Sequence, residues 1–419
     1  MSPSAPIQAL AVVPPGLEGV AGEELAALGA QAVRPSRGAV AFATDMAGFY
    51  RLHLQARIPF RLLREMARFP CANRYDLQAG VPAAADWSVW LPPERTLRVE
   101  VSGGTAALNH SHFTALQVKN ALVDQQRQRG GSRSSVDRHD PDLVIHLHVH
   151  RHGEAVLSLD GSGGSLHRRG WRAAVGLAPL KENLAAGLIA LTGWDGRRPL
   201  VDPFCGSGTL LIEAACAALG RAPGLVPTAP GMPPRARSFA LQRWPDFDPH
   251  LWDQEVWAAQ RLARDTLADG EPLAPIVGRD HNMEVLAQAR ANAQAAGVAP
   301  WIRFEPGEAS AFTPPPGAGL VVTNPPHGER LGTAPELEAL YADLGRQLKQ
   351  EAPGWTLWLL SGHPALTASL RLKATRRHPI SHGGIDCRWL RYDLRDRPLQ
   401  PVEGEPARAQ AGKDANGGP

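Results

Sequence analysis

Cysteine is scarce in this chain. Its 419 residues hold four, Cys71, Cys205, Cys216 and Cys387, and none forms a C-x-x-C pair. That spacing argues against a disulfide framework and a thiolate zinc site, and fits reduced thiols in a cytosolic protein. Long apolar runs are missing too: the richest stretch, Leu184 to Leu191, falls far short of the roughly 20 residues that cross a bilayer. The first ten residues lack a basic start and an apolar centre, so no secretory leader is expected. No sign of charge prevails, because 44 Lys and Arg face 41 Asp and Glu. A polyanionic partner is thus permitted but not demanded. Aromatics make up only 6%, and the eleven Trp are scattered, which reads as core rather than a stacking platform.

Hydrophobic residues reach 43% and charged residues 20%, a globular composition. The length suits two or three domains. The N-terminal third alternates short elements: an apolar strand at Ala9–Val13, a helix over Gly19–Leu28, a hairpin turning at Ser36-Arg37-Gly38, a helix around Phe49–Leu54 and a mixed segment at Arg61–Phe69. This texture predicts small α+β modules rather than one large sheet. Strands follow at Leu97–Val101, Leu143–Val149 and Ala155–Leu159, with a helix over Phe113–Gln126 between the first two.

From Pro179 onward the pattern changes. A helix at Leu180–Leu191 precedes a buried strand at Pro199–Phe204 and a helix at Thr209–Leu219. A Pro-rich stretch, 221–250, has no sustained period and reads as an inserted loop. Strand and helix then alternate to Leu360, and Arg371–Ile380 with Ile385–Leu394 reads as a closing hairpin. That order predicts an α/β, doubly wound, mostly parallel sheet. The tail, 399–419, is rich in Ala, Gly, Pro and charge and is expected to be disordered.

Basic residues concentrate early. Arg51, Arg57, Arg61, Arg64, Arg68 and Arg74 form one group, and Arg127, Arg129, Arg133 and Arg138 another. Each is either a solvated face or a nucleic-acid footprint. His146, His148, His150 and His152 alternate with aliphatics, which on a strand places all four on one face. No carboxylate or Cys flanks them, so no metal is expected there.

The chemistry concentrates in three places. Leu200-Val201-Asp202-Pro203-Phe204-Cys205-Gly206-Ser207-Gly208-Thr209 is a strand, a glycine loop and a helix start. Glycines let a ligand approach the backbone, and the helix start offers free N–H groups. Leu211 stands where a dinucleotide fingerprint has its third Gly, and the Lys of a phosphate-binding loop is absent. Asp202 would attract a cationic ligand and repel phosphate, so S-adenosylmethionine fits. Asp280 ends the next strand and can accept both hydroxyls of a ribose, or else cap the helix at Met283. Glu308, in the loop after a further strand, can take the adenine amino group. Third, Thr323-Asn324-Pro325-Pro326-His327 delivers an amide followed by rigid prolines. The Asn324 carbonyl and the Pro325 backbone oxygen could hold an exocyclic amine by its two hydrogens. Taken alone, the same residues are a Pro-rich turn.

Asp202–Glu213 and Thr323–Leu331 resemble the two hallmark motifs of THUMP-domain class I methyltransferases. Among these, the bacterial large-subunit (23S) ribosomal RNA guanine-N2 methyltransferases are the best match. Val118–Asp124, Ser135–Asp137 with Pro141-Asp142, Leu166–Arg172 and Ala178–Asn183 agree, and the likeness extends to about Leu394. The resemblance implies a ferredoxin-like part over 1–66, a THUMP RNA-binding module over 67–165 and a Rossmann-like methyltransferase domain over 166–398 with a seven-stranded sheet. It implies S-adenosyl-L-methionine held by Asp202, Phe204, Gly206, Gly208, Thr209, Asp280 and Glu308. Catalysis would rest on Asn324, Pro325, Pro326 and His327, and RNA contacts on Lys119, Arg127, Arg129, Arg133, Arg168 and Arg169.

Three departures are visible. His327 replaces the usual aromatic after Asn-Pro-Pro, a ring whose stacking would contribute about 1–3 kcal/mol. Glu308 stands where the family has Asp. The chain stops before a second methyltransferase domain that larger members carry, so a second modification is not expected. The reading that follows is a cytoplasmic, monomeric, metal-free enzyme that methylates guanine N2 in large-subunit ribosomal RNA. Its rivals are a DNA or protein N-methyltransferase and an RNA-binding assembly factor with an inactive fold.

Overall fold

The computed structural model describes residues 6–172, 180–228, 232–269, 272–311, 313–326 and 334–395. His327 to Leu331 and the tail 399–419 lie outside the described residues.

The first eight strands are β1 (Ile7–Val12), β2 (Gln31–Ser36), β3 (Ala39–Thr44), β4 (Arg61–Pro70), β5 (Thr96–Gly103), β6 (Ser135–Val136), β7 (Leu143–Val149) and β8 (Glu154–Asp160). They form one sheet in the order β2-β3-β1-β4-β8-β7-β5-β6. The strands of the expected small modules thus run together into one large sheet, which corrects the expectation that no large sheet would form. The cause is β4, ten residues long. Its start pairs with β1 through Arg61 to Arg64, and its length pairs antiparallel with β8 from Leu63 to Pro70. A bulge between Glu65 and Ala67 shifts the register midway, so the strand shows no clean alternation in sequence.

The remaining strands are β9 (Leu200–Asp202), β10 (Leu225–Val226), β11 (Arg235–Ala236), β12 (Ile276–Asp280), β13 (Ile302–Pro306), β14 (Leu320–Thr323), β15 (Thr356–Ser361), β16 (Arg376–His382) and β17 (Ile385–Asp393). Seven of these make the second sheet, in the order β13-β12-β9-β14-β15-β17-β16. It is parallel from β13 to β15, and the β16–β17 hairpin closes it antiparallel. The doubly wound sheet and closing hairpin expected from the sequence are both present. β9 is wholly buried, as a strand covered by helices on both faces should be.

The Pro-rich insertion is more than a loop. It carries the small β10–β11 hairpin and a 3-10 turn at Ala240–Arg243. Phe239 and Trp244 are buried there, packed against His53 and Phe49 of the N-terminal module. Gly224 makes the contact close: a Cβ there would lie 2.7 Å from the Leu54 Cα. A buried charge cluster ties the same junction. Glu24 accepts the backbone N–H groups of Arg57 and Ile58, while Glu213 sits 3.3 Å from Arg169 and 4.0 Å from Arg57.

Candidate functional site

The chain passes from β9 outward to β12 and β13, then returns to the other side of β9 as β14. Beyond the carboxyl ends of β9 and β14 this reversal leaves a crevice, the position where open α/β sheets take ligands. Three of the expected residues arrive there for that reason. Asp202 ends β9, Asp280 ends the neighbouring β12, and Asn324 follows β14.

The loop after β9 is built to come close to a ligand. Gly206 and Gly208 have φ of +53° and +82°, a region L-residues avoid. A Cβ on Gly206 would meet nothing within 4 Å, so that glycine faces open space. The Gly208 N–H donates to the Cys205 carbonyl at 2.8 Å and closes the turn. Helix Thr209–Ala218 then starts with no side chain capping its first amides. Such uncapped amides can meet an acceptor.

Asp202 is 2% exposed. Burial pushes its carboxyl up to about 7, and the nearby Asp280 charge adds to that, while the Phe204 N–H donated to Oδ1 at 3.1 Å opposes it. A buried carboxylate without a cation gains from one. Asp280 accepts the Gly206 N–H at 3.1 Å and the Asn282 N–H at 2.9 Å. It therefore stiffens the glycine loop, and each oxygen keeps a lone pair for a hydroxyl donor. The cap of helix Met283–Ala295 is Asn282, whose side chain accepts from Glu284 and Val285. Capping is thus not what Asp280 does. Glu308 follows β13, with its side chain exposed and its carbonyl accepting from Ala311.

Asn324 carries the most telling detail. Its Oδ1 is buried and has no hydrogen-bond partner among the described residues. Buried polar atoms are rarely left so, and this one asks for an N–H donor. Pro325 is buried beside it. A cleft of about 780 Å³ opens along the same sheet edge, lined by Gly16, Arg37, Ser361, Arg377 and Arg388. Parallel pairing of Thr323 with Leu359 places Ser361 abreast of Pro325.

The expected RNA contacts separate. Lys119, Arg127 and Arg129 lie on the long helix Ser111–Gly130, and Arg133 lies just beyond its Gly131 cap. Arg127, Arg129, Arg133 and Arg168 are exposed, and Lys119 is partly so. Arg169 is a correction. It is buried, with its guanidinium on Glu213 and on the carbonyls of Leu166 and Arg57, so it joins modules instead of meeting solvent. Trp171 is likewise core, at 5% exposure. His148 and His150 meet edge to face and His150 stacks on His152. Among the described residues, no group of three or more His, Cys, Asp or Glu is placed to hold a metal, and no helix could span a membrane.

Sequence reasoning gave no role to Arg172, Glu182 and Asn292. Arg172 donates to Ser207 Oγ and Thr209 Oγ1 in the glycine loop, and Asn292 donates to the Ser207 carbonyl at 3.1 Å. Arg172 and Glu182 do stand in two of the family-like stretches, the one signal that could have flagged them.

Known proteins agree with this geometry. A model described as RMKL-like, methyltransferase domain matches residues 169–391, one for the THUMP domain 76–160, and one for the RlmL ferredoxin-like domain 8–63. The chain belongs to this methyltransferase family. A Synechocystis sp. protein whose name places it among RNA methyltransferases is 43% identical over 92% of this chain and 96% of its own length. The ribosomal RNA large subunit methyltransferase K/L of Pseudomonas putida is 39% identical over 95% of this chain. The present chain spans about half of that relative, 53%. Among solved structures, one called a methylase, from Clostridium difficile, aligns with a TM-score of 0.81 at 26% identity, over 94% of this chain and 100% of that one. Another, described as a methyltransferase complexed with SAH, gives 0.79 at 26% identity, over 94% and 99%. The fold is that of a class I methyltransferase, and its cofactor is S-adenosyl-L-methionine. The residues present fit that group: an open glycine loop and, among the described residues, a buried carboxylate lacking a cation and an orphaned amide oxygen at the crevice.

Proposed function

We propose that the chain methylates the exocyclic amine of a guanine, N2, in large-subunit ribosomal RNA. The single observation that carries the amine is the Oδ1 of Asn324 beside Pro325, buried and without a partner among the described residues. Two acceptors there can take the two hydrogens of an –NH2 and leave its lone pair facing the glycine loop. When bound, the cofactor supplies an electrophilic methyl carbon on a sulfonium. The residues need only orient the nitrogen in line with it, and positioning of that kind can replace a strong base or a metal. In this reading Asp202, Phe204, Gly206, Gly208 and Thr209 hold the methionine end, Asp280 the ribose and Glu308 the adenine, while Pro326 and His327 complete the base pocket.

The choice of RNA rests on the THUMP match, on the exposed Arg127, Arg129 and Arg133, and on the names of the relatives. The ribosomal guanine rests on the K/L relatives. The cleft lined by Arg37, Arg377 and Arg388, between the N-terminal module and the closing hairpin, offers room and cations for an RNA backbone. One neighbour from Listeria monocytogenes bears the name of an N6-adenine-specific DNA methylase, and adenine N6 would suit Asn324 as well. The THUMP module favours RNA. We further read the enzyme as a monomer and as cytoplasmic; its four unpaired, buried cysteines support the latter.

The test has two parts. Asn324→Ala should lower kcat at least roughly 100-fold, as loss of a positioning group can, and leave cofactor affinity nearly unchanged. Loss of cofactor binding would assign Asn324 to the wrong site. Mass spectrometry of ribosomal RNA from a deletion strain should show one N2-methylguanosine missing; an unaltered methylguanosine map would reject the proposed target.

A further inference from the structure

The Arg172 side chain is 13% exposed, and its guanidinium sits at the rim of the glycine loop. Its Nε donates to Glu182 Oε1 at 2.9 Å. One terminal nitrogen donates to the Leu180 carbonyl and to Thr209 Oγ1, each at 3.1 Å, and the other to Ser207 Oγ at 3.3 Å. A guanidinium has five N–H groups, so among the described residues one remains beyond these four bonds. Ser207 and Thr209 both accept from Arg172, so their own hydroxyl hydrogens point elsewhere. The two oxygens lie 3.3 Å apart and can share at most one of those hydrogens, which leaves at least one O–H able to donate to a further acceptor.

This arrangement has a charge problem that one ligand solves. Asp202, Asp280 and Glu182 already place three carboxylates around the loop. The amino-acid end of the cofactor is a zwitterion: Asp202 suits its ammonium, but a fourth carboxylate would be repelled. An anion can settle there only where a fixed cation and spare donors meet it. Arg172, the oriented hydroxyls and the uncapped amides of helix Thr209–Ala218 are that place.

We propose that Arg172 is a cofactor-binding residue that selects the α-carboxylate of S-adenosyl-L-methionine, directly and through Ser207 and Thr209, opposite Asp202 at the ammonium. The inference rests on the cofactor assignment above. Calorimetry on the full chain tests it with S-adenosylhomocysteine and its decarboxylated analogue, which keeps the ammonium. The native protein should bind the decarboxylated analogue roughly 10–100-fold more weakly, the range for losing charged hydrogen bonds. Arg172→Met should weaken S-adenosylhomocysteine by a similar factor and leave the analogue within about threefold, erasing the discrimination. Arg172→Lys, which keeps the charge but lacks the fork, should retain part of it. Equal losses for both ligands would make Arg172 a purely structural brace and overturn the proposal. So would a native protein that binds both ligands alike, a result that needs no variant to fold. Failure of the native chain to bind either ligand would instead remove the cofactor assignment, and this proposal with it.

Discussion

Asp202 shows how a single side chain can serve function at the expense of stability. Its carboxyl titrates near 7 because it is buried, against an ordinary value of 3.8. Between about pH 4 and 7 the folded chain holds a proton that the unfolded chain has lost. Folding stability therefore declines as pH rises through that window. Asp202→Asn, with no proton to lose, should melt a few degrees higher than the native protein at pH 8 and converge with it near pH 4, as followed by calorimetric scans. Ligand binding has the opposite sign. A cationic amino group needs the ionised form, so S-adenosylhomocysteine affinity should rise up to about tenfold per pH unit below 7 and level off above it. An affinity flat across pH 5.5–8 would place the ammonium elsewhere. The residue type and its position at a strand end were legible in the sequence. Its depth of burial was not, since that depends on helices packed from elsewhere in the chain.

Helix Ser111–Gly130 is the element on which the RNA reading bears most directly. Thr114, Val118, Leu122 and Gln126 recur every fourth residue and are buried, which anchors one face. Gln126 also donates to Leu91 O at 2.6 Å and Ser134 Oγ at 2.9 Å, pinning the turn that carries Arg133. Arg127 and Arg129 fall in the last turn, where a cation also suits the helix dipole. Replacing Arg127, Arg129 and Arg133 together with Ala should weaken RNA binding across sequences and reduce the salt slope of log Kd by about one for each phosphate no longer neutralised. Filter binding between 50 and 200 mM salt would measure it, and an unchanged slope would move the RNA to another face. The helix was readable from its periodicity. The ten-residue β4 was not, because a bulge and the change of partner from β1 to β8 along it break the alternation that marks a strand.

At the scale of the whole molecule, the two sheets are joined by residues that no local pattern connects. Arg57 comes from the N-terminal module, Arg169 from the segment between the sheets and Glu213 from the helix after the glycine loop. Both guanidiniums face the Glu213 carboxylate, which is 2% exposed, and share the cluster with Glu24. Removing one member of a buried ionic cluster leaves uncompensated charge at a cost of roughly 3–5 kcal/mol. Glu213→Ala should therefore lower the thermal midpoint by several degrees or more and expose the junction near Arg57 to protease before the rest of the chain unfolds. A melting curve and a limited digest that match the native protein would show that the junction holds through its other contacts, such as Asn183 to Ile58 and Arg51 to Glu255, without this cluster.

The sequence by itself determined the glycine loop, the carboxylates at strand ends, the Asn-Pro-Pro turn and the doubly wound order of the second sheet. Each is written within a few residues, by glycine and proline restraints on φ and by periodicities of two and 3.6. Only tertiary structure decided that the first eight strands form a continuous sheet, that Arg168 faces solvent while its neighbour Arg169 is interior, and that Arg172 reaches a loop far along the chain. Those outcomes depend on which distant segment covers a residue, and neither propensity nor spacing encodes the identity of that segment.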